Sequence, residues 1–145
     1  MKWGNKFPPE YVNRLYGMVN RNISIPFKFV CFTENNEGIR DEVETQELPE
    51  LDLPTIAPER GWRKLTVLKK DFGSLKGKTL FLDLDIVIVG NIDDFFSHPD
   101  EFIIAHDKKN PKKIEGNSSV FRFEIGQFSQ ILSYFEQNSD IFVVI

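Results

Sequence analysis

Asp83 and Asp85 stand two residues apart inside an otherwise apolar run, Lys78-Thr79-Leu80-Phe81-Leu82-Asp83-Leu84-Asp85-Ile86-Val87-Ile88-Val89. Side chains of a strand alternate with a period of two, so both carboxylates would project to one side of it. Two like charges in a sheet are costly unless a cation joins them or they sit at the strand's solvated end. A divalent metal between carboxylates is one solution, and a ligand set of carboxylates and water suits Mg²⁺ or Mn²⁺. The plainer alternative is a pair of exposed turn residues at a strand end. Apolar residues continuing on both sides argue for the strand.

The elements that must position this pair alternate between helix and strand. Pro8-Pro9 opens a segment in which Val12, Leu15, Tyr16 and Val19 recur at helical spacing, predicting a helix over residues 9–20. Residues 27–33 read as a strand of Phe, Val and Cys, closed by the turn-like Glu34-Asn35-Asn36-Glu37-Gly38. A short strand is expected at 43–48, a proline-rich surface loop at 49–58 and a helix at 62–71. After the aspartate strand, Asp93-Asp94-Phe95-Phe96 reads as a short helix with an acidic start. Strands at 101–106 and 118–123 flank a loop rich in Lys, Asn and Pro. An amphipathic helix over 127–137 presents Phe128, Ile131, Leu132 and Phe135 on one face. The alternation predicts an α/β sheet, mostly parallel in its first half, and ligands of such sheets gather beyond the carboxyl ends of the strands.

A chain of 145 residues fits one domain able to bury roughly two-thirds of its unfolded surface. An apolar share of 41% and a charged share of 28% describe a globular protein, and 14 phenylalanines point to an aromatic core. The net charge of -4, with no dense basic stripe, argues against a nucleic-acid partner. The single cysteine, Cys31, reads as a buried strand thiol. No signal peptide is recognisable and no apolar run nears the ~20 residues that span a bilayer, so no transmembrane segment is expected and the cytoplasm is the default location.

The residues together resemble a known family. Phe81-Leu82-Asp83-Leu84-Asp85-Ile86-Val87-Ile88, followed by Gly90-Asn91-Ile92-Asp93-Asp94-Phe95-Phe96, looks like the Asp-X-Asp region of GT-A-fold glycosyltransferases that use nucleotide sugars. Lys2-Trp3-Gly4-Asn5-Lys6-Phe7 with Tyr11-Val12-Asn13-Arg14-Leu15-Tyr16 is similar to the amino-terminal motif of an uncharacterised bacterial branch of them. Trp62-Arg63-Lys64-Leu65 and Gly116-Asn117-Ser118-Ser119-Val120-Phe121-Arg122-Phe123 match two further blocks of that branch, in the expected order. Asp-X-Asp alone is a weak signal; the four blocks together are fairly specific.

The resemblance implies a GT-A, Rossmann-like domain with a mixed, mostly parallel sheet flanked by helices. It implies a nucleotide-sugar donor such as a UDP-sugar, with Mn²⁺ or Mg²⁺, and a glycan or lipid-linked acceptor of cell-surface polysaccharide synthesis, which would bring the chain to the membrane periphery. A diphosphate would be repelled by two bare aspartates, so the motif needs a cation for physical reasons as well. By resemblance Asp85 is the direct metal ligand, and Asp83 contacts sugar or ribose and supports the metal. Lys64, with Arg63 as substitute, is the candidate contact for the donor phosphates; the alternative is a solvated helix face shared with Lys69 and Lys70. Trp62 shields sugar or base, or simply packs. Lys6 and Asn13 lie near the nucleotide by resemblance alone. Asn117, Ser118 and Ser119 bind sugar hydroxyls or cap a turn. His106 and Asp107 reach acceptor or metal, or His106 is a satisfied strand-end histidine.

Related enzymes carry a strand before the Lys-Trp-Gly block and a further carboxy-terminal half with acceptor contacts. The expectation is therefore a donor-binding fragment of a longer transferase, with a non-catalytic nucleotide-binding remnant as the alternative. The apolar, uncharged end Ile141-Phe142-Val143-Val144-Ile145 is expected to drive self-association. Haloacid-dehalogenase-type phosphatases also carry Asp-X-Asp after an apolar strand, the first carboxylate being the nucleophile. Their motif continues into Thr or Gly-Thr, whereas Ile86-Val87-Ile88 follows here, and Asp93-Asp94 is too close to serve as their downstream acidic pair.

Overall fold

The computed structural model describes residues 1–51, 61–109 and 113–139. The first helix, α1 (Pro9–Asn22), starts where a proline needs no amide partner and buries Val12, Leu15 and Val19 along one stripe. It runs two residues past the expected end, and there the Asn22 side-chain amide donates to the Met18 carbonyl at 2.8 Å. Strands β1 (Val30–Phe32) and β2 (Glu44–Gln46) pair in parallel, with Val30 opposite Glu44 and Phe32 opposite Gln46. Both are shorter than the sequence pattern suggests. Lys2 adds an isolated parallel bridge to Thr33. Cys31 is buried in β1, as expected, and burial pushes its thiol pKa up.

Strand β3 (Lys78–Leu82), the four-residue helix α2 (Asp94–Ser97), β4 (Ile103–His106), β5 (Gly116–Glu124) and α3 (Ser129–Gln137) complete the described regular elements, together with a 3₁₀ helix at Trp62–Leu68. The second sheet has the order β3-β5-β4, and β4 and β5 are antiparallel. Two small sheets, one parallel pair and one with an antiparallel pair, thus replace the single mostly parallel sheet of the sequence reading. The architecture is mixed α/β.

Two elements differ in kind from expectation. The ladder of β3 stops at Leu82, so neither aspartate lies within a strand; residues 83–85 form the exit turn. The segment expected as a helix at 62–71 is a helix of the 3₁₀ type and ends at Leu68. It opens after Gly61, whose φ of 80° is left-handed, and the Thr66 hydroxyl donates back to the Arg63 carbonyl at 2.7 Å. Such tight turns rarely extend far.

The described residues fall into two compact units. The first, Met1–Leu48 with Leu80–Phe123, is built on Val12, Leu15, Cys31, Val43 and Leu84, with Tyr11, Phe29, Leu82, Ile86 and Ile88 packed against them. Phe81 stacks on Phe121 with ring centres 4.9 Å apart. The second unit comprises the described residues of Pro49–Thr79 and Glu124–Ile145. Its centre is Trp62 stacked on Phe135 at 5.0 Å, with Val67, Leu68, Phe72 and Leu132 buried. There Gly126, with φ of 84°, admits close backbone approach: a Cβ would lie 2.8 Å from the Lys70 carbonyl oxygen. Most of the expected loop at 49–58 and the whole apolar segment 141–145 lie outside the described residues.

Candidate functional site

The turn carrying the two carboxylates is held from three directions, all within the first unit. The Asp83 backbone N–H donates to the Ser119 carbonyl at 2.9 Å, one residue beyond the end of β3. Leu84 is buried in the cluster formed by α1 and the parallel pair, so the residue between the aspartates anchors the turn. Downstream, the Ile92 N–H donates to the Asn22 carbonyl at the end of α1, at 2.8 Å. With Leu84 turned inward, Asp83 is half-buried and Asp85 exposed. The feature closest to this arrangement is the alternative weighed above, turn residues at a strand end.

Asn117, Ser118 and Ser119 lie beside this turn. Opposite them the ladder between β4 and β5 jumps: Ile104 pairs with Phe121, but the next residue, Ala105, pairs with Asn117. Residues 118–120 therefore bulge out of that pairing. The Asn117 Oδ1 accepts the Ser119 amide at 2.9 Å and stabilises the bulge, while Ser119 offers its carbonyl to Asp83. Ser118 is exposed. Of these candidates, Asp83 and Ser119, far apart in sequence, thus meet through a backbone hydrogen bond.

The other candidates have more local roles. Asp107 follows β4, and its Oδ1 accepts the Lys109 amide at 2.9 Å. His106 is exposed, with Nε2 3.3 Å from the Lys113 carbonyl. Asn13 pins a loop to α1: its Nδ2 donates to the Gly38 carbonyl at 2.8 Å and its Oδ1 accepts the Arg40 amide at 3.0 Å. Lys6 is exposed, with Nζ 4.8 Å from the ring centre of Phe7. Trp62, Arg63 and Lys64 belong to the second unit; Trp62 stacks on Phe135, and the Lys64 amide donates to the Gly61 carbonyl at 3.0 Å.

Two groups that the sequence reading passed over organise the surroundings of the turn. The Asp93 carboxylate accepts the Ser24 amide at 2.9 Å, the Ser24 hydroxyl, and the Asn91 side-chain amide at 3.0 Å. These bonds, that of the Ser24 hydroxyl first, hold its pKa below the ordinary aspartate value. Asp93 was expected to serve the start of a helix, but its side chain makes no cap and instead joins the chain after α1 to the chain after the aspartate turn.

Arg122 is 1% exposed, and its guanidinium donates to three backbone carbonyls: Phe95 at 2.7 Å, His98 at 3.0 Å and Glu101 at 3.1 Å. It ties the chain from α2 to β4 onto β5. An arginine amid the phenylalanines of Phe121-Arg122-Phe123 was the available signal, because a cation in an apolar strand must either reach solvent or find acceptors.

Among the described residues no group of three His, Cys, Asp or Glu side chains is placed to hold a metal ion. No family model, no curated protein and no solved structure matches the chain.

Proposed function

We propose that the chain binds a nucleotide-diphosphate sugar, in the first instance a UDP-sugar, through a divalent metal held by Asp83 and Asp85, and that it serves as the donor-binding part of a GT-A-like glycosyltransferase. The observation that carries this reading is the placement of both carboxylates just past the carboxyl end of β3, in a turn anchored by buried Leu84 and bonded through Asp83 to Ser119 of the 118–120 bulge. Ligands of α/β sheets collect at such strand ends.

The donor set fits the metal. Two carboxylates offer oxygen only and leave coordination positions for phosphate oxygens and water, as Mg²⁺ and Mn²⁺ require. When bound, the metal supplies Lewis-acid stabilisation of the charge developing on the departing diphosphate. The protein's own part is orientation. Asp85, the more exposed carboxylate, is the direct ligand; Asp83, half-buried beside Ser119, faces sugar or ribose; and Ser118 presents a hydroxyl to the sugar. The acceptor in this reading is a glycan or a lipid-linked saccharide.

Incubation of the chain with radiolabelled UDP-sugars and Mn²⁺ tests it. Transfer or slow donor hydrolysis that disappears in Asp85→Ala supports a transferase. Metal-dependent UDP binding without either reaction assigns the chain to the non-catalytic, nucleotide-binding alternative.

A further inference from the structure

The β4–β5 hairpin carries an outward face of which only His106 has been weighed so far. Along its first strand Phe102, Ile104 and His106 are exposed while Ile103 and Ala105 are half-buried. Pairing of His106 with Gly116 continues one step further, because the Asp107 amide donates to the Glu115 carbonyl at 2.8 Å. That register sets Lys108 across from Ile114. Ile114 is fully exposed. Ile104 covers the same face: a Cβ on Gly116 would lie 2.6 Å from its Cδ1. Lys108, Lys109 and Lys113 are exposed around this apolar strip.

Charge singles out the same place. The chain as a whole is at -4, yet three lysines, Lys108, Lys109 and Lys113, gather here. Of the two flanking acids, Glu115 lies 3.5 Å from Lys113 and the Asp107 carboxylate is turned to the Lys109 amide.

We infer that this hairpin face docks on an anionic phospholipid bilayer, with Ile114 and Ile104 entering the headgroup boundary and Lys108, Lys109 and Lys113 meeting the lipid phosphates. An interface that is apolar within and anionic at its surface satisfies both features. A soluble polyanion would leave Ile114 in water. A second copy of the chain, paired face to face, would bring lysines against lysines. The inference does not depend on the transferase reading, since it concerns a different surface and is measured without donor.

Co-sedimentation of the full chain with phosphatidylcholine vesicles, with and without phosphatidylglycerol, tests it. The chain should pellet with the anionic vesicles and stay in solution with the neutral ones. Lys108→Glu with Lys109→Glu should weaken binding by about thirtyfold or more. Ile114→Ser should weaken it several-fold, with unchanged circular dichroism in both variants. Three results would overturn the inference. One is no preference for anionic vesicles. Another is binding indifferent to Ile114→Ser and fully competed by heparin, which marks a polyanion site. The third is vesicle-free self-association abolished by Ile114→Ser, which marks an interface between copies.

Discussion

The backbone amide of Asp83 donates to the carbonyl of Ser119 at 2.9 Å, and this one bond joins the acidic turn to the polar bulge of β5. It explains why two aspartates can be embedded in an apolar sequence without being buried in a sheet. β3 ends at Leu82, the Asp83 amide still reaches Ser119, and Leu84 turns back into the core, where Ile86 and Ile88 also pack.

Leu84 is therefore the residue on which the turn's position depends. Leu84→Ala should lower stability by about 2–5 kcal/mol, the range for a buried leucine truncated without full collapse of the site. Chemical denaturation measures this. Leu84→Met, which conserves volume, should cost under about 1.5 kcal/mol. A neutral Leu84→Ala would mean that the turn is held by its hydrogen bonds alone.

Arg122 should be among the least replaceable side chains. Arg122→Met leaves three carbonyls, those of Phe95, His98 and Glu101, without their donors. A hydrogen bond from a charged donor is worth about 1.5–3 kcal/mol, so loss of the three predicts a drop of at least ~3 kcal/mol in urea unfolding. Arg122→Lys keeps the charge but lacks the planar fork and should recover little of that loss. Full stability of the lysine variant would show that charge, not the three-way geometry, is what the site requires.

Acid should unfold the chain partly through two exposed carboxylates. Arg40 holds the Glu42 pKa at about 2, below its ordinary 4.5, and hydrogen bonds from Ser24 hold Asp93 below its ordinary value. A depressed folded-state pKa contributes stability in full above the unfolded value, and that contribution is lost as pH falls toward the folded one. Melting temperature should thus begin to drop near pH 4.5 and continue dropping to about pH 2. Glu42→Gln and Asp93→Asn should each start from a lower melting temperature at neutral pH and fall less steeply. Acid profiles parallel to that of the unmodified chain would show that neither carboxylate contributes.

Much of the fold was legible because its signals are local. The spacing of Val12, Leu15 and Val19 and the Pro8-Pro9 start specify α1; of the face expected for the last helix, Leu132 and Phe135 are buried in α3, whereas Ile131 is exposed and Phe128 precedes the helix. The place where β3 ends was not legible. Ile86, Val87, Ile88 and Val89 have strand-like composition, and Ile86 and Ile88 do pack on the core, but a strand also needs a hydrogen-bonded partner, and composition does not say where that pairing ends. Asp93 reads in sequence as a helix-start acid, and its bond to Ser24 spans 69 positions, beyond any local pattern. Among the candidate site residues, the proximity of Asp83 to Ser119 could be anticipated only from the order of the motif blocks, since residue type and spacing say nothing about a contact made across the sheet.

The central claim is that Asp83 and Asp85 bind a nucleotide diphosphate through a metal. Titration calorimetry of the chain with UDP, in Mn²⁺ and then in EDTA, tests it most directly. Binding is expected with Mn²⁺, with much weaker binding in EDTA and loss of the Mn²⁺-dependent part in Asp83→Asn. That variant should melt at the same temperature as the unmodified chain, or higher, when metal is absent, and should gain nothing from Mn²⁺ by mass action. Equal UDP affinity with and without metal, or undiminished Mn²⁺-dependent binding in Asp83→Asn, would contradict it.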